Sequence, residues 1–223
     1  MTERLLRRAA FFDVDGTLTR TTTMFDLLHF DAIEQGSGER ADEFIDALRR
    51  MQVEDGVSRE AANRHYFSWW RGRSRDQLAD LIARWCAQRA AAYFHRSTLE
   101  QLHRHRERGD LVVFVSGSVP LLLDDLAEQL GAVHVLATSM SVAGGVFTGD
   151  VDVPMIGSRK TDAIQQLADE EHIDLTASAA YGDHLSDVPF LELVGEPVIC
   201  GVPGSTEWCL AQRRGWATLL LDD

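Results

Sequence analysis

The sequence predicts an α/β protein: a doubly wound, mostly parallel sheet with a helical block inserted after its first strand. Three observations carry this. A short apolar run at residues 9–14, AAFFDV, stands alone near the start of the chain. Residues 23 to about 108 then follow helical periodicity almost throughout. After Gly109 the chain alternates strand, helix, strand, and such alternation builds parallel sheets wound on both faces.

The elements follow in order. The first strand is AAFFDV. Thr23 is placed to cap a helix through Phe25, Leu28, Ala32 and Ile33 that ends near Gly36. A second helix runs from about Glu39 to Gly56 with Phe44, Leu48 and Met51 on one face. Ser58 opens a third, carrying Ala62, His65, Tyr66 and Trp69 and closed by Gly72. Ser74 with Gln77, and Ser97 with Glu100, form two capping-box patterns, each opening a further helix. The run LVVFVSGS reads as a strand buried on both faces. A helix through Leu122, Leu126 and Leu130 stops at Gly131, and VHVLAT is the next strand. SMSVAGGVFTGDVDV reads as a hairpin turning at Gly144-Gly145. Then come a helix from Ser158 to about Glu171, strand ASAAY, a short helix at 187–194, strand PVIC, a helix near 206–214 and strand ATLLL.

Composition narrows the function. The chain has 223 residues, 45% of them hydrophobic, enough for one α/β domain with an insertion. A formal charge of -13 argues against general nucleic-acid binding, which needs basic surface. Cys86, Cys200 and Cys209 are odd in number, widely spaced and without a CxxC pair, so reduced thiols in a cytoplasm are expected. Residues 1–8 are basic and read as a solvated lead-in to the first strand. No apolar stretch reaches the roughly 20 residues of a membrane span.

Four groups fall at strand ends on one edge of the sheet, where α/β folds collect ligands. Asp13 and Asp15 follow the first strand. Ser116, Gly117 and Ser118 follow LVVFV. Asp183 and Asp187, in YGDHLSD, follow ASAAY. Lys160 opens a helix after the hairpin. The pattern resembles that of phosphohydrolases, in which a carboxylate nucleophile meets a phosphate dianion; at about 4 Å, with an effective dielectric near 20, that approach is opposed by roughly 8 kcal/mol. That is about six powers of ten in rate, so the site must supply positive charge. A hard divalent cation with oxygen ligands can do so, and Mg²⁺ suits a few carboxylates together with waters and a phosphate oxygen. The bland alternatives are strand-end polar residues for Asp13 and Asp15, a surface lysine for Lys160, a helix-starting acid for Asp187 and a helix cap for Ser118.

Taken together, D-x-D-x-T at Asp13, Asp15 and Thr17, a strand ending in Ser116, Lys160 at a helix start, and the pair Asp183 and Asp187 resemble the haloacid dehalogenase-like phosphohydrolase superfamily. The helical insertion between the first and second motifs is similar to the phosphoserine phosphatase-like branch. The resemblance covers the whole chain and implies a Rossmann-like core of residues 1–19 and 98–223, a helical cap of residues 20–97, Mg²⁺, and phosphoryl transfer through an aspartyl-phosphate. It implies Asp13 as nucleophile and metal ligand, Asp15 as acid/base and metal ligand through its carbonyl, and Asp183 as the remaining ligand, with Asp187 orienting water or Lys160. Ser116, Gly117, Ser118, Lys160 and Thr17 become the phosphate-binding set. The expected activity is Mg²⁺-dependent hydrolysis of a small phosphorylated metabolite by a monomer or homodimer. A phosphotransferase or a non-catalytic phosphate-ligand binder on the same fold are the alternatives.

Two departures from the branch are visible. The stretch RTTTMFD lacks the glutamate with which phosphoserine phosphatases read the substrate amine, leaving Asp26 as the nearest acid. His184 stands where relatives often carry a small polar residue, and reads as a partly exposed histidine without a role. Arg59, Arg64, His65, Arg71 and Arg73 read mainly as a solvated face of the cap, and HYFSWW as cap packing.

Overall fold

The computed structural model describes residues 6–53, 56–89 and 93–222. Six parallel strands form one sheet in the order β3-β2-β1-β6-β7-β8: β1 Ala9–Phe12, β2 Leu111–Ser116, β3 His134–Ala137, β6 Ala179–Gly182, β7 Glu196–Gly201 and β8 Ala217–Leu220. The order reverses about β1, which pairs with β2 on one side and β6 on the other. The Asp13, Ser116 and Asp183 segments therefore lie side by side at the carboxyl ends of the three central strands.

The apolar runs of β1 and β2 are continuous because both faces are covered. Ala10, Phe12, Val112 and Phe114 join one core cluster, while Ala9, Phe11, Val113 and Val115 join the other. The first cluster continues through α5 (Arg96–Glu107) and α6 (Pro120–Leu130) and into four helices that precede them in the chain: α1 Thr23–Glu34, α2 Gly38–Val53, α3 Arg59–Phe67 and α4 Arg75–Arg89. The second is closed by α7 Ser158–Glu171, α8 Val188–Leu191 and α9 Thr206–Arg214.

The two chain segments that join α1–α4 to the sheet run together. Arg20 N donates to Tyr93 O and His95 N to Leu18 O, and Thr19 bridges Phe94. The hairpin is present, with β4 Ser139–Ala143 and β5 Val146–Val153 joined through Gly144 and Gly145 at φ 58° and 82°. It reaches back to the helices: Gly72 N donates to Phe147 O, and Phe147 N to Arg73 O.

Some local expectations need correction. Ser74 and Gln77 exchange both bonds of a capping box. Ser97 and Glu100 do not: α5 starts at Arg96, two residues earlier than a Ser97 cap requires, and the Ser97 amide and hydroxyl both donate to the Asp222 carboxylate. A carboxylate from the end of the chain has displaced the local partner. Thr23 is the first residue of α1 rather than its cap, because its amide and hydroxyl are spent on Asp15. The expected helix at 187–194 is a 3-10 turn, Leu185–Asp187, followed by the short α8.

The basic lead-in lies outside the described residues as far as residue 5. Arg7 pairs with Glu171, and Arg8 with Glu196 and Asp110. All three cysteines are unpaired. No helix among the described residues is long and apolar enough to cross a membrane.

Candidate active site

β1 ends at Phe12, and the chain then folds into a tight loop in which the amides of Thr17, Leu18 and Thr19 all point to Val14 O. This loop presents Asp13 and Asp15 to the sheet edge. Gly16 turns it at φ 92°, and a Cβ there would meet Asp183 Oδ2 at 2.5 Å. Only glycine lets the loop bring β1 and β6 carboxylates this close.

Lys160 reaches this edge from the first turn of α7. It is buried, and its Nζ lies 2.5 Å from Asp13 Oδ1 and 2.8 Å from Asp187 Oδ1. Asp13, Asp183 and Asp187 each place a carboxylate oxygen within 4.8 Å of the others. Asp187 is itself held by the 3-10 turn that His184 caps. His184 Nδ1 accepts from Ser186 N, and the His184 amide donates to Asp187 Oδ2. His184 thus has a local role that its spacing did not reveal.

The electrostatics follow from burial and crowding. Burial above all, then the charges of Asp187 and Asp183, push the Asp13 carboxyl well above the ordinary carboxylate range, against the pull of Lys160. Burial pushes Asp15 up to about 6, against its bonds from Thr23. Burial and the charge of Asp187 likewise push Asp183 up to about 6. Burial alone would lower Lys160, but Asp13 and Asp187 outweigh it and hold the ammonium charged. One lysine does not balance four neighbouring acids. Oxygen donors on converging strand ends, with a glycine where a Cβ would block them, suit a hard divalent cation. The residues present therefore fit Mg²⁺.

Around this floor lies a cavity of about 210 Å³ lined by Asp13, Asp15, Ser116, Gly117, Lys160, Asp183 and Asp187 among others. The structure brings these seven predicted residues together. It does not bring Thr17 or Ser118 to the cavity wall. The Thr17 hydroxyl donates to Asp183 Oδ1 at 2.9 Å, and the Ser118 hydroxyl meets Thr23 Oγ1 at 3.1 Å. Both are buried behind the site and steady its acids.

Sequence reasoning missed two residues here. Asn63, in the middle of α3, donates from Nδ2 to Gly117 O at 2.9 Å. A carbonyl can only accept, so the amide orientation is fixed and the buried Oδ1 has no hydrogen-bond partner among the described residues. Ile156 packs over Gly117, where an added Cβ would lie 2.6 Å from its Cδ1. Neither residue belongs to a pattern that sequence could flag.

Of the arginines on the inserted helical block, Arg59 lines the cavity and donates to Ser186 Oγ, Arg64 donates to Val151 O, and Arg73 pairs with Asp31. Arg71 lies on the surface near Asp150. His65 stacks on Phe44 outside the cavity. Asp26 does not face the cavity: its carboxylate accepts from Trp85 Nε1.

Comparison with known proteins agrees with the geometry. The sequence model for "haloacid dehalogenase-like hydrolase" matches residues 10–192. The chain is 30% identical to a putative hydrolase of Mycobacterium leprae, over 95% of this chain and 72% of that one. It is 29% identical to a phosphoserine phosphatase of Mycobacterium tuberculosis, over 95% and 70%. Among solved structures, a protein of unknown function from Bordetella pertussis superposes with a TM-score of 0.85 at 24% identity, covering 96% of this chain and 98% of that one. A substrate-bound phosphoserine phosphatase superposes at 0.65 with 21% identity, covering 88% and 87%.

Proposed function

The chain belongs to the haloacid dehalogenase-like hydrolase family, and from that premise we propose that it is a Mg²⁺-dependent phosphomonoesterase working through an aspartyl-phosphate on Asp13. The observation that carries the reading is the buried Lys160 bridging Asp13 and Asp187 beside Asp183. We assign residues 1–19 and 98–223 to the catalytic core and 20–97 to the cap.

Asp13 and Asp183, with the Asp15 carbonyl, would hold the ion; when bound it neutralises acids and phosphate in the pocket. Lys160 grips Asp13 by Oδ1 and aligns the carboxylate, and its charge offsets that of the phosphoryl oxygens. Ser116 and the Gly117 amide lie on the cavity wall as donors to those oxygens. Asp13 attacks phosphorus, the ester P–O bond breaks, and the departing oxygen takes the proton of Asp15. A carboxyl raised to about 6 is well matched to that transfer near neutrality. Asp15, now ionised, takes a proton from water. That water attacks phosphorus, the Asp13 acyl-phosphate bond breaks, and phosphate leaves. Thr23 fixes the Asp15 carboxyl for both transfers, at 2.8 Å through its amide and 2.6 Å through its hydroxyl.

A panel of phosphorylated metabolites, assayed for phosphate release with and without Mg²⁺, tests this. Release is expected only with Mg²⁺, equal to the alcohol formed, and lost in Asp13→Asn. Mg²⁺-independent release, or turnover retained in Asp13→Asn, contradicts it. Less phosphate than alcohol, restored by an added acceptor alcohol, would instead mark a phosphotransferase.

A further inference from the structure

We propose that the cavity selects phosphomonoesters whose leaving group is apolar and carries no ammonium, with any polar terminus being an anion or hydrogen-bond acceptor placed at Arg59. The inference rests on the phosphatase reading for which end of the cavity takes phosphate.

The cavity has two unlike ends. Its acids, Asp13, Asp15, Asp183 and Asp187, all sit on the core floor at the ends of β1 and β6. Each is already engaged: Asp13 and Asp187 by Lys160, Asp15 by Thr23, Asp183 by Thr17. The opposite wall is mainly apolar, with Met24, Phe25, Leu48 and Tyr66 from three helices of the inserted block and Ile156 from the core, and its polar members Thr22 and Asn63 are uncharged. No acid lies on that wall among the described residues. Among the described residues, the one arginine or lysine lining the cavity beyond the floor is Arg59, which is exposed to solvent and so placed at its mouth.

Two costs then fall on an ammonium in the leaving group. It loses water against mainly apolar side chains, and no carboxylate among the described residues of that wall takes up its charge. It also faces the like charge of Arg59, a repulsive element of the kind that sets specificity. A methyl or methylene at the same place gains from burial, and a carboxylate at the mouth meets Arg59 favourably.

Phosphonates test this without turnover. Calorimetry on the Mg²⁺-loaded wild-type chain compares n-butylphosphonate with 3-aminopropylphosphonate, which has nearly the same shape and an ammonium in place of the terminal methyl. The alkyl compound is expected to bind at least tenfold tighter, and Arg59→Gln to narrow that ratio at least threefold. Equal or tighter binding of the amine, or no binding of the alkyl compound, overturns the proposal. An unchanged ratio in Arg59→Gln overturns the part assigned to Arg59. If the preference holds while wild type hydrolyses no phosphomonoester, the function fails and the selectivity stands.

Discussion

At the scale of single residues, the site is a charge problem that one lysine eases without balancing, on a loop that a missing Cβ allows to close. Lys160→Met leaves Asp13 and Asp187 facing each other in a buried pocket. We expect turnover to fall on the order of 10³-fold, as when a preorganised donor to a developing charge is lost, with far-ultraviolet dichroism unchanged. A second buried network lies beneath the site. His105 Nδ1 meets Asp110 Oδ2 at 2.7 Å and its Nε2 meets the Tyr181 hydroxyl at 2.8 Å. Arg108 Nη2 also lies 2.7 Å from Nδ1, so a carboxylate that only accepts and a guanidinium that only donates contend for that nitrogen. Burial holds this imidazole below its ordinary value, against the pull of Asp110, with Arg108 also lowering it. The unfolded chain therefore binds the extra proton first as pH falls below about 6.5. The stability His105 contributes is present above that pH and is lost on acidification. His105→Gln should flatten the fall in urea-unfolding free energy between pH 7 and pH 5, and an unchanged slope would contradict the network's role.

At the scale of elements, the loop after β1 and the β4–β5 hairpin do most to build the pocket. Gly16→Ala adds a Cβ at positive φ into the Asp183 carboxylate. We expect a loss of about 1–3 kcal/mol, together with at least tenfold weaker Mg²⁺ activation, read from urea unfolding and a metal titration. Phe147, buried where the hairpin meets the helices, should cost about 3 kcal/mol when cut to alanine. These elements also show what was legible in the sequence. β1, β2 and α7 could be read directly, because double-sided burial writes an unbroken apolar run and helix periodicity needs only neighbours. Ser74–Gln77 was legible for the same reason. Ser97–Glu100 and Thr23 were misread because their partners, Asp222 and Asp15, lie elsewhere in the chain.

At the scale of the whole molecule, the fold places three strand ends beside one another and sets α1–α3 over them. The core side of the site was legible, since D-x-D-x-T, Ser116, Lys160 and the acidic pair each mark a strand or helix end. The cap side was not: Asn63 becomes a neighbour of Gly117, and Arg59 of Ser186, only through packing between distant elements. An ion shared by separate strand ends should stabilise the whole chain. Mg²⁺ at about 100 times its Kd is expected to add about 2.7 kcal/mol to unfolding, and Asp183→Asn should remove most of it.

The central claim, that Asp13 receives the phosphoryl group, is tested most directly by acid-quenching the Mg²⁺-loaded protein during turnover of a phosphomonoester and mapping the modified peptide by mass spectrometry. The account predicts one hydroxylamine-labile phosphoryl group on Asp13, missing in Asp13→Asn. A phosphoryl group on any other residue, or steady turnover by Asp13→Asn, would contradict it.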